Sequence, residues 1–231
     1  MSDSRSAVLG NIRQALKRGE PTAEQRRAAE ARIAAAKTNL LPARGQLEPK
    51  AQAALFQQMA QEASATVTRV ADAAAVPAAI ADYLARENLP ARLRLSIEGD
   101  ITGLPWSTRP LLEITQGVTD GSDEVSVTGG YAGIAETGTL MLASGAERPT
   151  TLNFLPETHI VVLPADRVVG ALEQAWAKLR GEFGAGTMPR TVNFITGPSR
   201  SADIEQTLQM GAHGPRRLHI ILIDGETPAG S

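Results

Sequence analysis

The chain predicts an α/β fold: a mainly parallel sheet with helices on both faces, preceded by an N-terminal helical arm. Three observations carry this. From about residue 50 onward, short apolar runs such as ATVTRV, HIVVLP and LHIILI alternate with helix-length segments, as in a sheet built with crossover helices. The later runs are apolar nearly throughout, the mark of parallel strands buried on both faces. The first forty residues are instead rich in Ala, Arg, Glu and Gln. Residues 1–45 are therefore set apart as arm and linker, and residues 46–228 as the domain.

The elements follow in order. RSAVLGNIRQALKR reads as a short amphipathic helix, with Val8, Ile12 and Leu16 on one face. Pro21 marks the start of a second helix, TAEQRRAAEARIAAAKTNL, whose low apolar content buries little surface. LLPARGQLEPK, punctuated by Pro42, Gly45 and Pro49, reads as a linker. AQAALFQQMAQEAS is a helix, ATVTRV a strand, VPAAIADYLARENL a helix with Ile80, Tyr83 and Leu84 as its stripe, and ARLRLSI a strand. After a less regular stretch around STRPLLEIT, DEVSVTGGYAGIAETGTLMLAS offers two strand-like pieces around glycines. HIVVLP is the next strand, and Asp166 is placed to cap the helix RVVGALEQAWAKLR. TVNFIT then reads as a strand, SADIEQTLQM as a helix and RRLHIILID as the last strand.

Composition narrows the function. At 231 residues with 42% apolar content the chain can build a sizeable core, and with 3% aromatics that core must be aliphatic. A formal charge of -2 gives no reason to expect nucleic acid. No apolar run approaches the ~20 residues of a membrane span. The opening MSDSRSAVLGNIRQALKRGE has neither a signal core nor a cleavage site, so a cytoplasmic location is expected. Cysteine is absent, which removes disulfides, thiol nucleophiles, cysteine-ligated zinc and cysteine-bound iron–sulfur clusters. Of three histidines, His159 and His219 sit in apolar runs and read as strand residues. No metal site is expected.

Three stretches combine glycine with polar groups, where an open α/β sheet would place a ligand at strand carboxyl ends. In TGPSRSAD, Gly197-Pro198 makes a sharp exit, Ser199 or Ser201 can cap a following helix, and Asp203 falls in its first turn. With Arg200, the free N–H groups there suit a carboxylate or phosphate; the alternative is a well-capped helix with Arg200 solvated or paired to Asp203. In GIAETGTLML, Glu136 is either paired or raised in pKa by desolvation, and Thr137, Gly138 and Thr139 offer hydroxyls and close approach. The alternative is a strand-edge glutamate facing water, with a bulge at Gly138. In GAHGP, His213 sits in a turn, suited to acid–base or hydrogen-bonding work, or is simply a loop histidine. No nucleophile elbow, Walker loop or dinucleotide fingerprint occurs, so no cofactor is bound by a recognisable motif.

Together, GIAETGTLML, PETHIVVLPADRVV and TGPSRSADIEQTLQMGAHGP closely resemble the lactate utilization protein C family of LUD-domain proteins, over about residues 50–225. Ser201 stands where the family often has threonine, keeping the hydroxyl, and Ala212 replaces a common valine. The resemblance implies the fold of the sugar-phosphate isomerase and CoA-transferase superfamily. It also implies a role in oxidising L-lactate to pyruvate beside partner proteins that bear the iron–sulfur clusters. A small carboxylate or phosphate would meet Ser199, Arg200, Ser201 and Asp203, with Thr137, Gly138 and Thr139 shaping the pocket and Glu136 and His213 handling protons. Two rivals stay open: a transferase or isomerase acting on CoA esters or sugar phosphates, with Glu136 as nucleophile, and a non-catalytic assembly subunit docking through its arm. Homo-oligomerisation is also left open.

Overall fold

The computed structural model describes residues 2–35, 37–184, 186–204 and 207–225, without the side chains of 2–3 and 201–209. The chain divides into two compact units, Met1–Asn39 and Leu40–Ser231. The first contains α1 (Ser2–Ala15) and α2 (Ala23–Ala35). Thr22 and Gln25 form a reciprocal cap: the Gln25 N–H donates to Thr22 Oγ1 (3.2 Å) and the Thr22 N–H to Gln25 Oε1 (2.9 Å). Glu20 accepts from Arg13 (2.6 Å) and Arg26 (3.3 Å). No residue of α2 is buried, as its polar, alanine-rich sequence requires.

In the second unit, α3 (Pro49–Glu62) starts on Pro49 and buries Ala53, Phe56 and Ala60, one helical stripe. It leads into β1 (Thr66–Val70). Next, α4 (Val76–Arg86) buries Val76, Ile80, Tyr83 and Leu84. Then come β2 (Arg92–Leu95), the single turn α5 (Gly99–Thr102), β3 (Glu113–Gln116) and β4 (Val125–Gly129). The chain continues through β5 (Ala132–Ile134), β6 (Thr139–Ala143), the short α6 (Thr151–Phe154), β7 (Thr158–Pro164), β8 (Val168–Val169) and α7 (Leu172–Phe183). It closes with β9 (Val192–Ile195), β10 (Arg200–Ile204), β11 (Thr207–Met210) and β12 (Arg217–Ile223).

Six strands form an all-parallel sheet in the order β1-β12-β7-β4-β2-β3. A second sheet, β8-β5-β6-β9, lies over one face. Side-chain alternation assigns the cores. On one face Ile160, Val162, Ile221 and Ile223 pack with Ile80, Tyr83 and Leu84 of α4. On the other, Val161, Leu163, Ile220 and Leu222 meet Phe56 of α3 and Leu140 and Leu142 of β6. The opposite face of β6, Met141 and Ala143, packs on Ala175 and Leu179 of α7. The expected mainly parallel sheet with helices on both faces is therefore present, and strand β6 is buried along its whole length.

Three local expectations are corrected. DEVSVTGGYAGIAETGTLMLAS forms three strands, not two, because the glycines between β4 and β5 let the chain leave one sheet and enter the other. The helix expected from Arg167 starts at Leu172: the β-branched pair Val168-Val169 instead joins Gly133-Ile134 as β8. Asp166 is thus not its cap; the N-cap is Ala171, whose N–H donates to Gln174 Oε1 (2.9 Å). The third correction is SADIEQTLQM, which is not a helix. Arg200–Ile204 and Thr207–Met210 pair antiparallel as a hairpin. SADI and TLQM each alternate polar and apolar residues, a period of two that suits a strand better than a helix.

Candidate functional site

Strand β9 runs antiparallel to β6 in the second sheet, so its end at Ile195 does not join the carboxyl edge of the large sheet. It delivers Thr196 to Arg200 beside His159 and Leu218, the second residues of β7 and β12. The resulting cavity, about 280 Å³, lies at the amino ends of those parallel strands. The expectation of a site at strand carboxyl ends is therefore corrected for this stretch. With no helix after Ser199, the expected helix dipole and serine cap are also absent from this turn.

The base of the hairpin borders the cavity. The Gly211 N–H donates to the Ser199 carbonyl (2.9 Å), and the Ser199 N–H donates to the Pro215 carbonyl (2.8 Å). That N–H is thus already committed within the protein. Ser199 Oγ accepts from the His213 N–H (3.2 Å), joining the GPSR and HGP stretches. Arg200 is exposed, with Nη1 3.5 Å from Ser64 Oγ. Ser199, Arg200 and His213 all line the cavity, with Asn153 and Phe154 of α6 opposite. Among the described residues, the lining contains one arginine and no carboxylate. The side chains of Ser201 and Asp203 lie outside the described residues; their backbone is in β10.

The AETGT stretch reaches the cavity only indirectly. Thr137 Oγ1 and Thr139 Oγ1 are 2.7 Å apart, and Thr139 Oγ1 is 2.7 Å from Thr196 Oγ1, which is on the cavity wall. Gly138 adopts φ +65, and a Cβ there would lie 2.2 Å from the Ala60 amide nitrogen, so glycine permits α3 to approach. Glu136 is buried (6% exposed) but does not line the cavity. Its Oε1 accepts from the Leu172 N–H (2.9 Å), a free donor in the first turn of α7. Arg200 and His213 are brought together, and Glu136 is employed elsewhere.

The sequence reading missed two buried groups. His159 is fully buried, with Nε2 2.8 Å from Thr128 Oγ1, and burial pulls its pKa down to about 3. It belongs to the cavity wall and not only to the strand core. Glu98, 3% exposed, accepts from Ser96 Oγ (2.7 Å), the Gly129 N–H (2.7 Å) and Arg148 Nε (2.8 Å) at the carboxyl ends of β2 and β4. Neither had a motif to announce it; their surroundings come from strands far apart in sequence. Among the described residues, no cluster of three or more His, Asp or Glu side chains is arranged to hold a metal ion, and no helix is long and apolar enough to cross a membrane.

An α/β protein with a six-stranded parallel sheet and a cavity of mixed polar and apolar lining at its amino end is the class these features define. Residues 121–223, spanning β4 to β12 and the whole cavity lining, match the LUD domain. The resemblance to the lactate utilization protein C family is borne out by curated relatives of that name. The protein of Geobacillus thermodenitrificans is 43% identical over 91 residues (39% of this chain, 38% of the relative). That of Shouchella clausii is 37% identical over 101 residues (44% of each chain). That of Bacillus subtilis is 38% identical over 100 residues (43% and 42%). The chain thus spans about two-fifths of the length of the curated relatives it matches. The crystal structure of a DUF162 family protein from Deinococcus radiodurans superposes with a TM-score of 0.58 at 22% identity, covering 77% of this chain and 99% of that one; it shares the fold.

Proposed function

We infer that this chain takes part in L-lactate utilisation by holding a small carboxylate, lactate or pyruvate, in the cavity at the amino ends of β7 and β12. One observation carries the reading: a cavity of about 280 Å³ whose lining, among the described residues, has one arginine, two hydroxyl and two imidazole groups, and no carboxylate. A guanidinium matches a carboxylate in charge and planar geometry, and such charge-assisted bonds are the stronger ones. Arg200 takes the carboxylate, Ser199 and Thr196 offer hydroxyls, and His213 at the rim is the group for proton handling. Ser201 adds a hydroxyl from β10, Asp203 serves to orient the Arg200 guanidinium rather than to touch the anion, and Thr137, Gly138 and Thr139 support the wall from behind. Glu136 holds α7 and is left out of the chemistry. The names of the relatives supply the lactate part of the reading.

Oxidation of lactate releases two electrons, and a chain without cysteine has no cysteine-bound cluster to carry them. As the family resemblance implies, the electrons pass to iron–sulfur partner proteins in the cytoplasm, and no recognisable motif places a cofactor on this chain. The working unit is the LUD domain, residues 46–228, behind the helical arm.

Calorimetric titration of L-lactate and pyruvate into wild type and Arg200→Ala tests the site. Loss of a charged hydrogen bond lowers affinity about tenfold or more, while the unfolding midpoint stays unchanged because Arg200 is exposed. Equal affinity in the two proteins overturns the assignment. Anaerobic purification from lactate-grown cells tests the partners: recovery of the chain alone rules out a stable complex with iron–sulfur proteins.

A further inference from the structure

Buried polar atoms in folded proteins are nearly always hydrogen-bonded, and an exception needs a reason. Among the described residues, His159 Nδ1 is a buried atom with no partner in the protein. The ring is held from its other nitrogen by Thr128 Oγ1 on the neighbouring strand, at 2.8 Å. A ring fixed in this way cannot turn Nδ1 toward another protein group without giving up that bond. It also belongs to the wall of the cavity that holds Arg200. Burial keeps the imidazole neutral at pH 7, which makes it unsuited to a charged carboxylate and suited to a neutral oxygen.

We propose that His159 is the specificity-determining residue of this cavity: its Nδ1 hydrogen-bonds the hydroxyl or oxo oxygen of a small hydroxy- or oxo-carboxylate. The proposal rests on the small-carboxylate reading above and divides the ligand between two groups. The charged end goes to Arg200 at the exposed rim, and the neutral oxygen goes to the buried imidazole. A hydroxyl serves either tautomer of His159, since it can donate or accept. An oxo group only accepts, and so requires the proton on Nδ1, with Thr128 then donating to Nε2. A plain carboxylic acid puts a methylene where the oxygen would sit and leaves a buried polar atom unpaired, the costly arrangement that gives polar sites their selectivity.

The test compares L-lactate, pyruvate and propionate by titration calorimetry on the full chain. Wild type binds L-lactate about tenfold more tightly than propionate, the scale of one unpaired buried group. In His159→Leu that ratio falls to about one. Because a core variant can misfold, the second measurement uses wild type alone: imidazole ¹⁵N resonances followed during L-lactate addition. The Nδ1 resonance of His159 shifts more than Nε2 does. Equal binding of L-lactate and propionate to wild type, with Nδ1 unmoved, overturns the role of His159 and leaves the carboxylate site standing. If none of the three acids binds, the carboxylate reading falls and this assignment falls with it.

Discussion

Acidification should destabilise this core, and the effect can be worked out from two side chains. His159 and His219 face opposite sides of the large sheet, and both are fully buried. Burial lowers each pKa from 6.5 to about 3, with the Arg86 charge adding to the effect at His219. The folded protein thus keeps both rings neutral, whereas the unfolded chain takes up protons as pH falls through 6.5. Stability from each histidine is fully present above that pH and is lost between about 6.5 and 3, at about 1.4 kcal/mol per pH unit. Between pH 7 and pH 5 the loss is about 2 kcal/mol per ring and about 4 kcal/mol for both, a large part of the ~5–15 kcal/mol that a domain possesses. Urea unfolding at the two pH values measures it directly. His159→Leu, or His219→Phe to keep the stack on Tyr83 at 3.8 Å, should each remove about half of the pH-dependent loss. A double variant that loses as much stability as wild type between pH 7 and pH 5 would refute the reasoning, whatever its stability at pH 7.

Three further outcomes follow from the packing. Glu136→Ala removes the acceptor for the Leu172 N–H and should cost about 1–2 kcal/mol in urea unfolding, while Glu136→Gln, which keeps an acceptor, costs less. Gly138→Ala places a Cβ 2.2 Å from the Ala60 nitrogen at φ +65, and should lower stability by at least ~2 kcal/mol, seen as a fall of several degrees in Tm. Glu98→Ala strands the buried Ser96 hydroxyl and the Gly129 N–H, and should cost about 2–4 kcal/mol; Arg148, 36% exposed, finds water and adds little. A wild-type unfolding curve for that variant would mean Glu98 contributes nothing to joining β2 and β4.

The strands were legible where they were apolar throughout. HIVVLP and LHIILI can hardly be anything but interior strands, and they form β7 and β12 at the centre of the sheet. The hairpin β10–β11 was not, because two signals compete there. Ala, Glu, Gln, Leu and Met are good helix formers, while their order alternates polar and apolar residues. The period prevailed over the propensity, and Gly211, at φ +82, ends the second strand by turning it back. The GPSR and HGP stretches were read as separate turns with a helix between them; the hairpin that stands there instead returns the chain to its start and brings His213 to Ser199. Glu136 was misplaced for a different reason: its partner is the start of α7, 36 residues away, and no local pattern marks that. The alternative noted for such a carboxylate, that it is paired, is the one realised.

Why ligand chemistry should fall at the amino ends of this sheet, against the usual preference, follows from where polar groups are already satisfied. At the carboxyl ends Glu98 is bonded three times, Arg167 pairs with Asp100 and also donates to the Gly130 carbonyl at 3.2 Å, and Arg69 pairs with Asp224. These ion pairs stitch β1 and the loops after β2, β4, β7 and β12, and Glu98 among them is buried and fully engaged. At the amino ends the balance reverses. Thr158 Oγ1, His159 Nδ1 and His219 Nε2, all within the first three residues of β7 or β12, are buried without partners in the protein. Unmet hydrogen-bonding capacity in a dry interior costs stability, and a fold retains it most readily where a ligand supplies what is missing. His159 lines the cavity, so the proposed ligand would meet that condition there, whereas His219 is stacked on Tyr83 against the opposite core.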